Sequence, residues 1–515
     1  MATAVLAPDR APEDVLGPSP RPGLRPRTVV ALFTGLSLLF GAVFAAVVPA
    51  AWGPDESSHF KRAYQVSQGG FAPERLPDDG PYPVYGGSVP VAAAQLMTGH
   101  GGPPRTKERG SDPLFVPSEA RDRALAAPLG DEHVQTSFSN TAAYSPVPYL
   151  PSALGARIAT AADLGVGSTW ALMRVLQVLS YTAVVAVGLW ALRRTRFLWA
   201  GFCVALVPTA LYQSAVISAD SVTNAVVFTF IALVLRATVL NRSEEPLSRF
   251  ELGAVLVSAC VMPLMKPTYV ILSLLLLAVP LRRYPLPRRA DGRPVAAALV
   301  LAACLLLTLL GFAVWMSLAA GTTEAMGILR GPEERHMVRP DDQLAFVLSE
   351  PVAVLGVAAR TILTLDWQYA AGVVGQMGYG PGGNINGPFV GAVCWLVAVG
   401  AAFLHGPRGR ASRRVVVWFA VVLLLNVAAI FGTLYLSFAP VQSGIVNGVQ
   451  GRYFVPLALL LLGTLVPLVS ARLPTTPQAL RRVDTTVLVL VPLSAALAVA
   501  GYATVVHITG HYALP

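Results

Sequence analysis

The amino-acid sequence predicts an all-α polytopic membrane protein with about 11 transmembrane helices. Of its 515 residues, 54% are apolar and only 13% are charged, whereas soluble domains carry about 25% charged residues. Apolar runs long enough to cross a bilayer recur along the chain, and arginines cluster between them. The net charge is +10, but the basic residues are scattered over short loops, so we expect no nucleic-acid partner.

Nine apolar runs each have about the length of one membrane-spanning helix, which needs about 20 residues. They cover 29–50, 170–192, 197–217, 221–240, 295–319, 388–404, 414–436, 453–470 and 485–506. A further run, 250–281, is too long for one span and short for two. It is typical of a tight helical hairpin with Met265, Lys266 and Pro267 at its tip, and its two arms bring the total to eleven.

The ends and the cysteines complete the predicted organisation. Residues 1–28 are rich in Pro, Arg and Ala, so we predict a disordered cytoplasmic N-terminus. Residues 29–515 are predicted to form a single integral membrane domain. All four cysteines fall inside apolar runs, which favours free buried thiols over disulfides or a zinc site.

The arginine clusters predict the topology by the positive-inside rule. With the N-terminus in the cytoplasm, the clusters near 193–196, 282–289, 408–414 and 472–482 all lie on the cytoplasmic side of the membrane. The C-terminus then lies outside.

Two long segments, 51–169 and 320–387, also lie outside in this topology. Juxtamembrane helices are expected in the first near 56–68, 118–127 and 151–162. We interpret 343–365 as an interfacial helix because charges and Pro351 interrupt it.

Two adjacent carboxylates and a histidine follow directly after the first apolar run. In the segment P-D-E-x-x-H, Asp55 and His59 are four residues apart and share one face of a helix. Ionisable groups at the mouth of a membrane span usually mark a site. We therefore place Asp55 and Glu56 in the catalytic group, with Asp55 as general base and Glu56 or His59 orienting it. The alternatives are a helix cap at Asp55 and a divalent-cation site formed by all three residues.

A proline-rich aromatic stretch, N-T-A-x-Y-S-P-x-P-Y, lies in the first outer segment. Proline restricts the backbone, so ordering this stretch costs little entropy. We expect Asn140, Tyr144 and Tyr149 to line a sugar or lipid pocket. A lid packed on the bilayer surface, where tyrosine is favoured, is the alternative.

Three further motifs place polar residues at the same outer level. Asp220 in S-A-D-S-x-T-N is a candidate for substrate binding or for capping the next helix. Lys266 and Tyr269 in K-P-T-Y lie at the hairpin tip, where a buried ammonium needs an anion. A polyprenyl phosphate headgroup would supply that anion, and Asp220, Asp55 or backbone carbonyls are the alternative partners for Lys266.

Arg452 and Tyr453 in G-R-Y-F open the run 453–470 on the outer side. The planar guanidinium of Arg452 could clamp a phosphate, or it could anchor the helix at the interface. Trp367 precedes the segment 370–387, which contains seven glycines. We expect either a mobile loop or a flexible connector. A mobile loop could close over substrate and place the aromatic side chain of Trp367, Tyr369 or Tyr379 against a sugar face.

Taken in order, these motifs resemble a bacterial family of predicted membrane proteins, domain of unknown function 2142. That family is in turn similar to the GT-C glycosyltransferases, which are integral membrane enzymes that use polyprenyl-phosphate-linked sugars. The resemblance implies a GT-C-like fold and an acidic residue in the first outer loop, a feature that Asp55 and Glu56 match. It also implies inversion at the sugar, with a single base and direct displacement.

The combined expectation is an inverting glycosyltransferase of the bacterial plasma membrane. It moves a sugar from a polyprenyl-phosphate donor to a cell-envelope glycan or lipid acceptor on the outer face. Its partners would be that donor, the envelope acceptor and membrane lipid, with no cofactor beyond a divalent cation. A lipid-linked glycan polymerase or ligase needs similar residues and stays open. A transporter or flippase of envelope precursors is the non-enzymatic alternative.

Overall fold

The computed structural model describes residues 24–77, 83–98, 118–193, 195, 197–238, 245–322, 334–380, 383–404, 412–469 and 477–512. Most of the predicted N-terminal segment 1–28 lies outside these ranges. The α-helices in chain order are α1 Pro26–Val47, α2 Glu56–Ser67, α3 Val91–Thr98, α4 Glu119–Ala126, α5 Leu150–Ala161, α6 Val166–Leu192, α7 Leu198–Ala205, α8 Pro208–Ser214, α9 Asp220–Thr238, α10 Arg249–Met265, α11 Val295–Leu318, α12 Pro340–Ser349, α13 Pro351–Val374, α14 Phe389–Leu404, α15 Arg413–Ser437, α16 Ala458–Val469 and α17 Pro477–Tyr512.

Short 3-10 segments and two small antiparallel sheets complete the described structure. The 3-10 segments are Val147–Tyr149, Pro267–Ala278, Leu281–Arg283, Arg335–Met337 and Gly451–Leu457. One sheet has the order β1-β2-β3, formed by Glu74–Leu76, Val84–Pro90 and His133–Ser137, and the other pairs β4 Gln376–Gly380 with β5 Gly383–Asn386. Ser88 lies opposite Gln135 in the first sheet. The prediction of a purely helical chain missed both sheets.

Six described helices are long and apolar enough to cross a membrane, and a bent pair would make seven. They are α1, α6, α9, α11, α15 and the segment Arg481–Thr509 of α17. The chain is thus a multi-pass helical membrane protein, but the predicted eleven spans are not confirmed. Helices α14 and α16 are apolar and short, with 16 and 12 residues.

The predicted span 197–217 is wrong as a single helix. Helix α7 has eight residues and α8 has seven, and both are buried. Pro208 opens α8 and has no backbone N–H to continue the hydrogen-bond ladder. The preceding Val207 is extended, with ψ of 135°, which is the conformation that proline favours in the residue before it.

The predicted reversal at Lys266 is confirmed. Helix α10 ends at Met265, Lys266 is extended, and the 3-10 segment from Pro267 leads back. The backbone N–H of Leu247 donates to the carbonyl of Arg283 over 2.8 Å, so the chain returns to the level where α10 begins. With 17 and 12 residues, the two arms are shorter than ordinary spans.

The expected helix at 343–365 is broken into two. The three shorter helices predicted in the first outer segment are present. Helices α12 and α13 meet at an angle of 107° around Glu350. Pro351 at the start of α13 ends the hydrogen-bond ladder of α12 there. Helices α2, α4 and α5 confirm the predictions near 56–68, 118–127 and 151–162.

Helix α9 lies at the centre of the molecule, and nearly all its side chains are buried. It packs against α6, α10, α16 and the 3-10 segment Gly451–Leu457. Three other chain positions lie near the start of α9. They are the residue before α2, the end of α10 and the start of the segment Gly451–Leu457. The polar residues at these four chain positions therefore meet at one end of the bundle.

Candidate active site

Two carboxylates and two cations form a charged cluster at this end of the bundle. Arg452 lies between two acids, with Nη2 3.7 Å from Asp55 Oδ2 and Nη1 3.6 Å from Asp220 Oδ2. Lys266 donates a short hydrogen bond to Asp220 Oδ1. The four formal charges sum to zero, so the cluster balances its own charge where each residue is ionised. We call Asp55, Asp220, Lys266 and Arg452 the charged cluster.

Asp55 is the most accessible member of the charged cluster. Its side chain is 44% exposed, whereas the other three are 8–12% exposed. The amide of Asn140 donates to Asp55 Oδ1 over 3.1 Å. Asp55 precedes α2 with φ of 54°, and its side chain makes no capping hydrogen bond. A left-handed non-glycine residue is strained, and such strain concentrates at functional sites. The helix-cap alternative is therefore not supported.

A close approach of two backbones positions Arg452. A Cβ atom on Gly372 of α13 would lie 2.6 Å from the Cα of Gly451, and one on Gly451 would meet the carbonyl oxygen of Tyr369. Only glycine allows this contact. It holds the segment Gly451–Leu457 against α13 and positions the buried Arg452 beside the two acids.

The partner of Lys266 is Asp220, one of the predicted alternatives. Asp220 Oδ2 also accepts from Gln213 over 3.0 Å, and Gln213 accepts from Asn224 over 2.7 Å. The ammonium of Lys266 lies 4.4 Å from the ring centre of Tyr453, a distance at which an aromatic face attracts a cation. Asp220 begins α9, but its carboxylate neutralises cations, a role that capping alone does not require.

A buried histidine and several tyrosines form the wall beside these charges. The His59 ring packs against Tyr144 and Tyr149, with ring centres 5.8 and 5.7 Å away. Burial lowers the pKa of the His59 imidazole to about 4, although Asp55 and Asp220 act in the opposite direction. His59 is therefore neutral near pH 7. The pKa of the Tyr144 hydroxyl is raised, mainly by burial.

Tyr269 supports this wall from behind. Its side chain is 1% exposed, and its hydroxyl donates to the backbone carbonyl of Tyr453 over 2.9 Å. Its position therefore fixes the backbone next to Arg452. The polar handle of a buried tyrosine needs such a partner.

Glu56, predicted to act with Asp55, is directed into the protein instead. Its carboxylate is fully buried and accepts five hydrogen bonds, two of them from Arg174 at 2.8 and 2.7 Å. Gly53 N, Trp170 Nε1 and Ile217 N donate the other three over 2.9–3.1 Å. Neither oxygen faces the charged cluster, so the geometry gives Glu56 a structural role.

Arg174 was missed as a functional candidate, although the sequence carries a signal for it. It is the only charged residue in the apolar run 170–192, and an ionisable group inside a span needs a partner. Besides Glu56, its guanidinium donates to the carbonyls of Ala45, Val48 and Pro49. We call Glu56 and Arg174 the buried clamp.

The glycine-rich segment 370–387 has regular structure over most of its described residues. It forms the end of α13 and the hairpin β4–β5, with residues 381 and 382 outside the described part. Gly378 has φ of 64° and packs directly on the Tyr212 hydroxyl and the carbonyl of Trp52. Trp367 is 65% exposed and contacts the ring of Phe389. The structure does not bring Trp367 to the charged cluster.

Within the described residues, no group of three or more His, Cys, Asp and Glu side chains has the geometry of a metal site. Asp55, Glu56 and His59 do not converge, because Glu56 is bonded to Arg174 and His59 Nδ1 lies 2.7 Å from the Tyr149 hydroxyl. The donor set of the possible divalent-cation site is therefore not assembled.

The described cysteines confirm the expectation of free thiols. All four are unpaired as disulfides. Cys203 and Cys304 are buried, and Cys260 and Cys394 are half-buried.

Chemically, the site combines an accessible carboxylate, two cations beside it and a neutral imidazole. The carboxylate can take a proton, and the cations can stabilise a developing negative charge. Such a site suits the attack of a hydroxyl on a centre whose leaving group is anionic.

Comparison with known proteins identifies the family of this chain. No curated protein and no solved structure matches the chain. A family model described as "Predicted membrane protein (DUF2142)" matches residues 38–461. That range includes all four members of the charged cluster and both members of the buried clamp. The chain belongs to the DUF2142 family of predicted membrane proteins.

Proposed function

We propose that the protein is an inverting glycosyltransferase of the bacterial plasma membrane. It moves a sugar from a polyprenyl-phosphate carrier to a hydroxyl of a cell-envelope glycan or lipid on the outer face. The observation that carries this proposal is the environment of Asp55, a half-exposed carboxylate with Arg452 3.7 Å away. Arg452 also contacts Asp220, which in turn binds Lys266.

In the proposed reaction, Asp55 takes the proton of the acceptor hydroxyl as that oxygen attacks the anomeric carbon. The bond between the anomeric carbon and the phosphate oxygen breaks, and the lipid phosphate leaves with its electron pair. Lys266 and Arg452 stabilise the charge on the leaving phosphate. A phosphate that binds them replaces part of the contact that Asp220 makes with both cations in the free protein.

The environment of the other carboxylates supports inversion. Retention by double displacement needs a second carboxylate as nucleophile about 5 Å from the first. Glu56 is sealed by five donors, and Asp220 is held by Lys266, Arg452 and Gln213. Asp55 is therefore the one carboxylate of this group that is free to act as a base.

The test compares envelope glycan composition in a deletion strain that carries wild type, Asp55→Asn or Asp163→Asn. Asp163 is a matched control because it is an exposed aspartate with φ of 50°. We expect wild type and Asp163→Asn to restore one missing sugar linkage. Asp55→Asn at equal protein level should lose about 100-fold or more of the transfer rate, the usual contribution of a general base.

Full restoration of the linkage by Asp55→Asn would contradict the transferase proposal. The size of the missing product distinguishes the related alternatives. Loss of a single sugar supports monosaccharide transfer, whereas loss of a whole glycan block supports the polymerase or ligase. Accumulation of an untransported precursor with no missing linkage supports the transporter.

A further inference from the structure

The pair formed by His59 and Tyr149 carries an inference about how the site binds phosphate. His59 Nδ1 and the Tyr149 hydroxyl oxygen are 2.7 Å apart. Tyr149 is fully buried and His59 is 6% exposed. The pair lies beside the charged cluster. The ring centre of Tyr144 is 5.8 Å from that of His59 and 6.0 Å from the Lys266 ammonium nitrogen, and the backbone N–H of His59 donates to the carbonyl of Asp55.

The partners of the Tyr149 hydroxyl decide which nitrogen of His59 carries the proton. Among the described residues, His59 Nδ1 is the one hydrogen-bond partner of the Tyr149 hydroxyl. A buried hydroxyl whose proton had no acceptor would carry a desolvation cost. The hydroxyl therefore donates to Nδ1, and a neutral imidazole with an acceptor at Nδ1 carries its proton on Nε2.

The second ring nitrogen is left free to bind a ligand. Nε2 makes no hydrogen bond with any residue that the structure describes. It is also not fully buried, so a ligand can reach it. The two cations of the charged cluster, Lys266 and Arg452, are hydrogen-bond donors without acceptor capacity. An oxygen of an anion that approaches the two cations would therefore meet a third donor at His59.

We propose that His59 donates its Nε2–H to a phosphoryl oxygen and that Tyr149 fixes the imidazole in this tautomer. The ligand class is a phosphate ester, and its assignment to a polyprenyl phosphate rests on the proposed function. His59 is thus a binding residue, and Tyr149 acts through it as a positioning residue. Because the imidazole is a neutral donor, it leaves the role of base to Asp55.

The first test reads the tautomer directly and needs no substrate. The full-length protein, labelled with ¹⁵N-histidine and reconstituted in phosphatidylcholine nanodiscs, is measured by ¹⁵N–¹H correlation at neutral pH. We expect the His59 proton on Nε2 in wild type and a mixture of tautomers in Tyr149→Phe. A proton on Nδ1 in wild type, or an unchanged spectrum in Tyr149→Phe, would overturn the proposal.

The chain offers a matched control for this measurement. The Tyr64 hydroxyl and His133 Nε2 are 3.2 Å apart, and His133 is exposed. Its Nδ1 lies 2.7 Å from the carbonyl of Asp131, so it carries the proton. Tyr64→Phe should leave the His59 signal unchanged, and His133 should show the opposite tautomer to His59.

The second test measures binding of a polyprenyl monophosphate in nanodiscs. His59→Gln keeps an N–H near the position of Nε2, whereas His59→Asn places its amide near Nδ1. We expect wild-type-like affinity for Gln and a loss of about tenfold or more for Asn, the worth of a hydrogen bond to a charged group. Equal affinity of the Gln and Asn variants would contradict the proposal.

Inorganic phosphate is the second probe in the same assay. If it competes with the lipid and shows the same difference between Gln and Asn, the site recognises the phosphoryl group itself. If only the polyprenyl phosphate binds, the lipid is the ligand source. The two proposals can fail separately. If wild-type protein shows the expected tautomer and binds the lipid but restores no sugar linkage, the proposed transferase is contradicted and this inference still holds.

Discussion

Asp55 and Glu56 are neighbours in the sequence and have opposite environments in the structure. Asp55 is 44% exposed, strained and bonded to Asn140, with a cation at 3.7 Å. Glu56 is fully buried and accepts five hydrogen bonds. The comparison teaches that one carboxylate of the pair is available for chemistry because its neighbour anchors the chain.

The buried clamp and the charged cluster also differ in how their partners are shared. In the clamp, Arg174 and Glu56 are joined by two hydrogen bonds, and among the described ion pairs each is the one partner of opposite charge that the other has. In the cluster, Arg452 is divided between two acids and Asp220 between three donors. Removal of one partner should therefore cost more in the clamp than in the cluster.

The largest expected effect comes from breaking the clamp with Arg174→Met. The variant leaves Glu56 buried without its cation, which should reduce the free energy of unfolding by about 3–5 kcal/mol. The measurement is unfolding in mixed micelles by titration with a denaturing detergent. Arg293→Met at the exposed pair with Asp291 is the control and should change stability by less than about 1 kcal/mol. Equal stability of both variants would contradict the role assigned to Glu56.

The next largest effect concerns His59 and pH. Its pKa of about 4 in the folded state lies below the ordinary value of 6.5. Between these values the unfolded state binds the proton more strongly, so the stabilisation is complete above pH 6.5 and is lost as pH falls towards 4. The loss should be on the order of 3 kcal/mol.

The measurement is the free energy of unfolding at several pH values from 4 to 7 for wild type and His59→Gln. The stability difference between them should depend on pH across this window. His133→Gln changes an exposed histidine and should follow the wild-type curve. Parallel curves for wild type and His59→Gln would show that His59 is not held neutral by burial.

A smaller effect is expected when Lys266→Met opens the charged cluster. Asp220 keeps Gln213 at 3.0 Å and Arg452 at 3.6 Å, so the cost should be about 1–3 kcal/mol, that of one lost partner of a charged group. The same unfolding titration compares this variant with Arg174→Met. A loss for Lys266→Met as large as that for Arg174→Met would remove the distinction between an acid with one cationic partner and an acid with two.

The smallest effect tests the backbone strain at Asp55. Asp55→Gly should be more stable than Asp55→Ala by about 1 kcal/mol, because glycine adopts a positive φ without a steric cost. The same pair of substitutions at Asp163, with φ of 50°, should give a similar difference. Equal stability of the Gly and Ala variants at residue 55 would mean that the strain at this position is negligible.

The composition of the charged cluster could be predicted from the sequence, and its pairings could not. Asp55, Asp220 and Arg452 each border an apolar run, and Lys266 lies at the predicted tip of the hairpin 250–281. All four fall on the same predicted side, so the alternation of spans brings them to one level. Their pairing depends on the Gly372–Gly451 contact, which hydropathy does not reveal.

The direction of Glu56 was not predictable for a similar reason. The left-handed conformation of Asp55 sets the rotation of α2, and a regular helical pattern gives no sign of it. The break at Pro208 could have been recognised from the proline inside the run 197–217. The partner of Glu56 could have been sought at Arg174, the lone charge of its apolar run.

The contacts of Arg174 set an order of events during synthesis. The carbonyls of Ala45, Val48 and Pro49 lie at and just beyond the end of α1. Their hydrogen-bond donor, Arg174, is more than 120 positions later in the chain. At about 5–20 residues per second, the ribosome needs on the order of ten seconds to make that stretch. Until α6 has been made, the end of α1 lacks its Arg174 partner, so we expect the Asp55 turn to take its final form only afterwards. If the proposed function is right, we expect transferase activity only after this second long helix is in place.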